Sequence, residues 1–149
     1  MERFPYVRNA KARIRGGEQA PMLRGEATFS QQREGVLITV RVQGLPHSDT
    51  GFFALHIHEG DSCGGKAFAE TGGHYNPGDD LHPMHAGDLP PLLSYHGGKA
   101  YLQVITDRFR LHDIINRTLV IHSGTDDFHT QPSGNAGEKI ACGVIRRIN

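Results

Sequence analysis

The sequence predicts an all-β chain, an antiparallel Greek-key β-sandwich or flattened barrel of about eight strands with one long irregular loop, and three observations carry that prediction. Short segments of alternating apolar and polar residues recur along the chain. They are punctuated by 19 Gly and 8 Pro. No stretch shows the periodicity of a long amphipathic helix.

The elements follow in order. Ala10, Ala12 and Ile14 alternate with Lys11, Arg13 and Arg15, and Leu23, Gly25, Ala27 and Phe29 alternate with Arg24, Glu26, Thr28 and Ser30. Both read as half-buried strands. Val36, Ile38, Val40 and Val42 oppose Leu37, Thr39, Arg41 and Gln43, and the turn at Gln32 to Gly35 makes these second and third strands a hairpin. After Gly44 to Thr50 comes a fourth strand, with Phe53, Leu55 and Ile57 on one face and Ala54, His56 and His58 on the other. The segments from Ala100 to Thr106 and from Thr118 to His122 supply two more, joined by Asp107 to Arg117, which has room for one short helical turn. Ile140 to Ile145 closes the set. The irregular stretch from Gly60 to Gly98 is long for an idle connection in a compact domain, which is itself a reason to assign it a function.

A chain of 149 residues with 37% hydrophobic content fits a single domain, 1–149. Lys plus Arg and Asp plus Glu balance at 16 each, which excludes bulk basic attraction to nucleic acid and an acidic tail. No apolar run approaches membrane-spanning length, and the opening MERFPYVRNAKARIRGG lacks the apolar core of a signal peptide. The expectation is a cytoplasmic protein, or a secreted or periplasmic one where a leader has been removed.

The chemistry concentrates between Gly51 and Asp88. His56 and His58, two apart on a strand, project from one face. His74 follows a Gly-rich turn, and His82, His85 and Asp88 come at intervals of three in a segment whose Pro and Gly residues forbid a regular helix. With His122 downstream, six His and one Asp are too many for one tetrahedral ion. They divide into two sites if one imidazole bridges, and His74 lies between the two groups. Imidazole suits copper and zinc, and a His-rich set with one carboxylate and no thiolate argues against iron–sulfur or Cys-type zinc. Taken alone, an HxH pair on a strand is more often surface decoration, and His82 and His85 could be solvated. His47, His96, His112 and His129 match no role and read as exposed.

The segments GFFALHIHEGDSC, GGHYNP, HAGDLPP, NRTLVIHSGTDD and GNAGEKIACGVI, in this order, resemble the motif series of the copper/zinc superoxide dismutase family, across roughly Ala10 to Ile145. The likeness is to a bacterial-type member with shortened zinc and electrostatic loops. It implies copper held by His56, His58, His74 and His122, and zinc held by His74, His82, His85 and Asp88. The first Asp of the pair Asp126 and Asp127 would link His56 to His82 behind the ligands, although both could equally be turn formers. Superoxide is the implied substrate, disproportionated to dioxygen and hydrogen peroxide, with His74 and Lys139 as catalytic residues, Ser133 and Lys139 in the substrate channel, and a homodimer as an option. The alternatives are a non-catalytic copper-binding or storage module of the same fold and a purely structural copy, which would have little reason to keep all seven ligands.

Cys63 and Cys142 are the only thiols, and in a cytosolic chain they would ordinarily be reduced. The resemblance implies a disulfide, worth about 4 kcal/mol for a loop of this length on the chain-entropy estimate. Three features depart from the family pattern. Only two residues separate His82 from His85, the segment from His122 to Ser133 is short, and Lys139 stands where the family typically has arginine. Lysine keeps the charge but loses the planar fork, so anion guidance should persist in less oriented form.

Overall fold

The structure, a computed structural model, describes residues 6–148; the first five residues of the charged N-terminal stretch lie outside them. Its strands are β1 (Asn9–Gly16), β2 (Arg24–Gln31), β3 (Val36–Gln43), β4 (Phe52–Phe53), β5 (Leu55–His58), β6 (Leu92–Leu93), β7 (Ala100–Thr106), β8 (Thr118–His122) and β9 (Lys139–Ile148). A single α-helical turn, α1 (Leu111–Ile114), falls in the connection where the sequence leaves room for one, and a 3₁₀ segment spans Lys66–Thr71. No described helix is long and apolar enough to cross a membrane.

Seven strands form one antiparallel sheet in the order β5-β8-β9-β1-β2-β3-β7. Crossings set this order: the chain leaves β3, runs to the far edge as β5, returns as β7 beside β3, and crosses again to β8. The two-residue strands β4 and β6 pair separately, Phe52 with Leu93 and Phe53 with Leu92. Since β4 runs into β5 through Ala54 and β6 lies beside β7, this small sheet joins the two edges of the large one and flattens the whole into a barrel.

Alternation decides which side chains fill the barrel. Ala10, Ala12 and Ile14 of β1, Ala27 and Phe29 of β2 and Val36, Ile38 and Val40 of β3 are almost fully buried, as their period of two requires. The strand containing the HxH pair behaves differently. All four residues of β5 are buried, and so are all five of β8, because the long loop covers what would otherwise be their solvent face. That covering loop is where the site lies.

Candidate metal centre

β5 is an edge strand, and its free edge is not left open. The segment 73–88 pairs along it: Tyr75 N–H donates to Ile57 O at 2.8 Å, Ile57 N–H to Gly87 O at 2.8 Å, and Glu59 N–H to Gly73 O at 2.9 Å. Isolated bridges set His58 opposite His74 and His56 opposite Asp88. A side chain at Gly87 would run into the Ile57 carbonyl, so glycine is what permits this approach. On the opposite edge of β5, His56 pairs with Val120 and His58 with Thr118, and His122 reaches the cluster from the end of β8 at a bulge facing Lys139.

All seven predicted ligand residues converge. One ligand atom from each of His56, His58, His74 and His122 falls within 4.8 Å of the others. Hydrogen bonds decide which nitrogens those are. His58 Nδ1–H donates to Gly72 O at 2.9 Å, His122 Nδ1–H points at Gly137 O at 3.4 Å, and His56 Nε2–H donates to Asp126 Oδ2 at 2.9 Å. The nitrogens left for an ion are therefore Nε2 of His58 and His122, which lie 3.1 Å apart, and Nδ1 of His56. His56 Nδ1 and His74 Nε2 are buried without any partner among the described residues, as expected of atoms that face a cation.

On the other side of His74, its Nδ1 lies 2.9 Å from Asp88 Oδ1 and 3.1 Å from His85 Nδ1. His82 Nδ1 and His85 Nδ1 each approach Asp88 Oδ2 to 3.1 Å. His56 also comes close to His74, His82 and Asp88, but its one free nitrogen, Nδ1, is already counted with His58 and His122, whereas His85 Nδ1 faces His74 Nδ1 and Asp88 and is the better fourth member. Three imidazoles and one carboxylate suit a tetrahedral zinc ion. The donor set and the orphaned buried nitrogens together fit one copper and one zinc sharing His74.

Burial favours the neutral, ligating form of three of these imidazoles. It pushes His58 down to about 2 and His122 down to about 3, so both imidazoles are neutral. His56 is lowered by burial as well, against the opposing pull of Asp126. Asp126 is almost wholly buried, which would raise its pKa, yet donors from His56, His82 and the Phe128 N–H hold it down to about 2. Its two oxygens receive His56 Nε2–H at 2.9 Å and His82 Nε2–H at 2.7 Å, the cross-link that the resemblance implies. Asp127 keeps the modest role of a turn former, its Oδ1 accepting from the N–H groups of His129 and Thr130.

Lys139 Nζ donates to Thr71 Oγ1 at 2.7 Å and to Gly72 O at 3.0 Å. Thr71, fully buried, and Gly72 carry no sequence signal for this task. Ser133 is half-buried in the turn before Gly134, and none of its atoms joins the cluster's hydrogen bonds among the described residues. Cys63 and Cys142, 79 positions apart in the chain, are bridged, with Cα atoms 5.8 Å apart, and so tie the loop after β5 to β9. His47, His96, His112 and His129 are exposed, as expected.

Comparisons with known proteins agree with this geometry. The family model described as copper/zinc superoxide dismutase (SODC) matches residues 23–145. A relative named superoxide dismutase [Cu-Zn] 2, from Aquifex aeolicus, is 37% identical over 136 residues, covering 82% of this chain and 78% of its own. The superoxide dismutase [Cu-Zn] of Deinococcus radiodurans is 34% identical over 152 residues, covering 89% and 82%. Among solved structures, the Cu/Zn superoxide dismutase from Brucella abortus superposes with a TM-score of 0.78 at 28% identity, over 91% of this chain and 98% of that one.

Proposed function

Because this chain belongs to the copper/zinc superoxide dismutase family, we propose that the two quartets around His74 are its copper and zinc sites and that they serve the family reaction. The enzyme disproportionates superoxide: two superoxide ions and two protons yield dioxygen and hydrogen peroxide, with copper and zinc as cofactors. The observation that carries the site assignment is His74, a single imidazole with Nδ1 against Asp88 and His85 and an unpartnered, buried Nε2 left for the quartet with His56, His58 and His122.

Copper held by His56, His58, His74 and His122 would supply the one-electron exchange that the reaction needs. The residues divide the remaining work. His56, His58 and His122 hold neutral nitrogens on one centre, and neutrality is what burial provides. His74 takes a proton at Nε2 and returns it to the reduced oxygen species, while its Nδ1 stays with His82, His85 and Asp88. Asp126 fixes the rings of His56 and His82 against rotation, so the two sites keep their register. Lys139 supplies positive charge beside His58, and Ser133 completes the channel wall. Association into a homodimer belongs to the same proposal, with exposed Phe52, Leu93 and Tyr95 as available apolar surface, and sedimentation tests it.

The storage-module alternative is not favoured, since the relatives that match are named as dismutases and both quartets are assembled. Metal analysis paired with a superoxide-decay assay on the same sample is the direct test. A fully loaded protein that does not accelerate superoxide decay would refute the catalytic reading.

A further inference from the structure

Only Pro83 and Met84 separate His82 from His85, so the loop has few residues of its own with which to brace two ligands. Its internal bonds run from Met84 N–H to Leu81 O at 2.7 Å, from Asp88 N–H to His85 O at 3.1 Å, and from His85 N–H to Asp88 Oδ2 at 3.0 Å. Among the described residues, the His82 N–H and the carbonyls of His82 and Pro83 find no partner inside the loop.

Two side chains from other parts of the chain occupy those places. Arg108, in the turn after β7, donates through Nη1 to Pro83 O at 2.7 Å and to His85 O at 3.1 Å, and sets Nη2 3.7 Å from Met84 Sδ. Gln131, in the connection between β8 and β9, meets both backbone groups of His82 with one carboxamide: Oε1 accepts its N–H at 2.9 Å and Nε2 donates to its C=O at 2.8 Å. The same Nε2 also donates to His129 O at 3.0 Å, which anchors the amide to its own segment. Thus the backbone of His82 and that of His85 are each gripped from outside by a different loop. Asp126 does not duplicate this, because it aligns the ring of His82 and leaves its backbone free.

Charge gives no reason for an arginine here. A guanidinium bonded to the carbonyl of a residue that ligates a dication opposes that ion. What arginine offers is a rigid planar head: the two N–H groups of Nη1 serve the two carbonyls while Nη2 rests against Met84 Sδ, three contacts set by one plane, whereas an ammonium on a flexible stem has no second nitrogen for Met84.

We propose that Arg108 and Gln131 are positioning residues for zinc: they form an external clasp that supplies the stiffness a longer loop would provide, so zinc affinity depends on them and copper affinity does not. This rests on the reading of His82, His85 and Asp88 as zinc ligands. Outer contacts that orient a metal ligand are typically worth about 10- to 100-fold in affinity.

The test uses the full chain and its variants Arg108→Ala, Arg108→Lys, Gln131→Ala and Gln131→Glu. Zinc affinity is measured by competition with a chromophoric chelator, copper affinity is measured in parallel, and the cobalt(II) absorption spectrum reports the geometry of the zinc site. Both Ala variants should bind zinc at least about tenfold more weakly, with a broadened cobalt spectrum and copper affinity unchanged. Arg108→Lys should fall between wild type and Arg108→Ala, because it keeps a donor for the carbonyls but loses the planar head and its contact with Met84 Sδ. Gln131→Glu keeps the acceptor for His82 N–H but loses the donor, and should also weaken zinc. These two variants preserve side-chain size, so they remain informative if an Ala variant folds poorly. Wild-type zinc affinity in all four variants, or zinc and copper weakening in step, would overturn the clasp. A zinc affinity indifferent to His85→Ala would instead overturn the ligand assignment beneath it.

Discussion

Lys139 and His58 donate to the same carbonyl oxygen, that of Gly72, at 3.0 and 2.9 Å. With Thr71 Oγ1 taking a second ammonium proton, Lys139 is a charge fixed in place beside the His58 ring, with one donor to spare.

A fixed cation in a chain of zero net charge should dominate the local attraction for an anion. Lys139→Glu is expected to slow superoxide decay and to flatten or invert its dependence on salt, whereas Lys139→Arg should match or exceed wild type. Screening acts over about 8 Å at physiological ionic strength. Steering of this kind raises encounter rates by roughly 10- to 1,000-fold, a range for which superoxide dismutases are themselves a reference case. Pulse-radiolysis rates at several salt concentrations, with copper content measured on each sample, decide the matter. A Lys139→Glu protein that keeps its copper and the wild-type salt response makes Lys139 a bystander.

His74 is assigned to both metals and His85 to one. His74→Ala should weaken copper and zinc together, and His85→Ala should weaken zinc while sparing copper. Native mass spectrometry of protein reconstituted with both ions is expected to show one of each per chain. If His74→Ala leaves either affinity at its wild-type value, the shared imidazole is wrong.

Gly134 packs its backbone against the Asp126 bridge at φ +74°, and a methyl group there would overlap Asp126 Oδ1 and His82 Nε2. Gly134→Ala should therefore disturb the carboxylate's grip on both rings without altering a single ligand. The expected loss is about 10- to 100-fold in metal affinity, similar to that of Asp126→Ala. Titration with each ion separately checks it, and unchanged affinities would show that Asp126 tolerates displacement.

The Cys63–Cys142 bridge spans 79 positions. Replacing both cysteines by serine should cost about 2–4 kcal/mol of stability in the metal-free protein, read from denaturant unfolding. Intact mass with thiol alkylation establishes the bridge in the native protein. Two freely alkylated cysteines in unreduced, metal-loaded protein would remove it from the account.

Much of this could be read from the chain, because alternation is a local property. Arg13 is exposed and Ile14 buried for a reason visible in their immediate neighbours, and the same logic aims His56 and His58 to one side of their strand. The two-residue strand β6 escapes that reading, which also merges β4 with β5 through Phe53, although the structure separates them at Ala54. A period of two has no length in which to show itself in Phe52–Phe53 or Leu92–Leu93, and their pairing exists only because the barrel brings its edges together.

The sequence by itself determined the all-β architecture and, through the family resemblance, the chemistry, and it singled out the six His and one Asp that the structure gathers in one place. Tertiary structure alone decided which nitrogen of each imidazole faces an ion, because that depends on where the other nitrogen finds an acceptor: Gly72 for His58, Gly137 for His122, Asp126 for His56. It also placed Arg108 and Gln131 against the backbone of a loop 23 and 49 positions away. A side chain that grips a distant carbonyl answers to no periodicity and no spacing. Its partner is defined only once the strands have paired and the loops have been brought side by side.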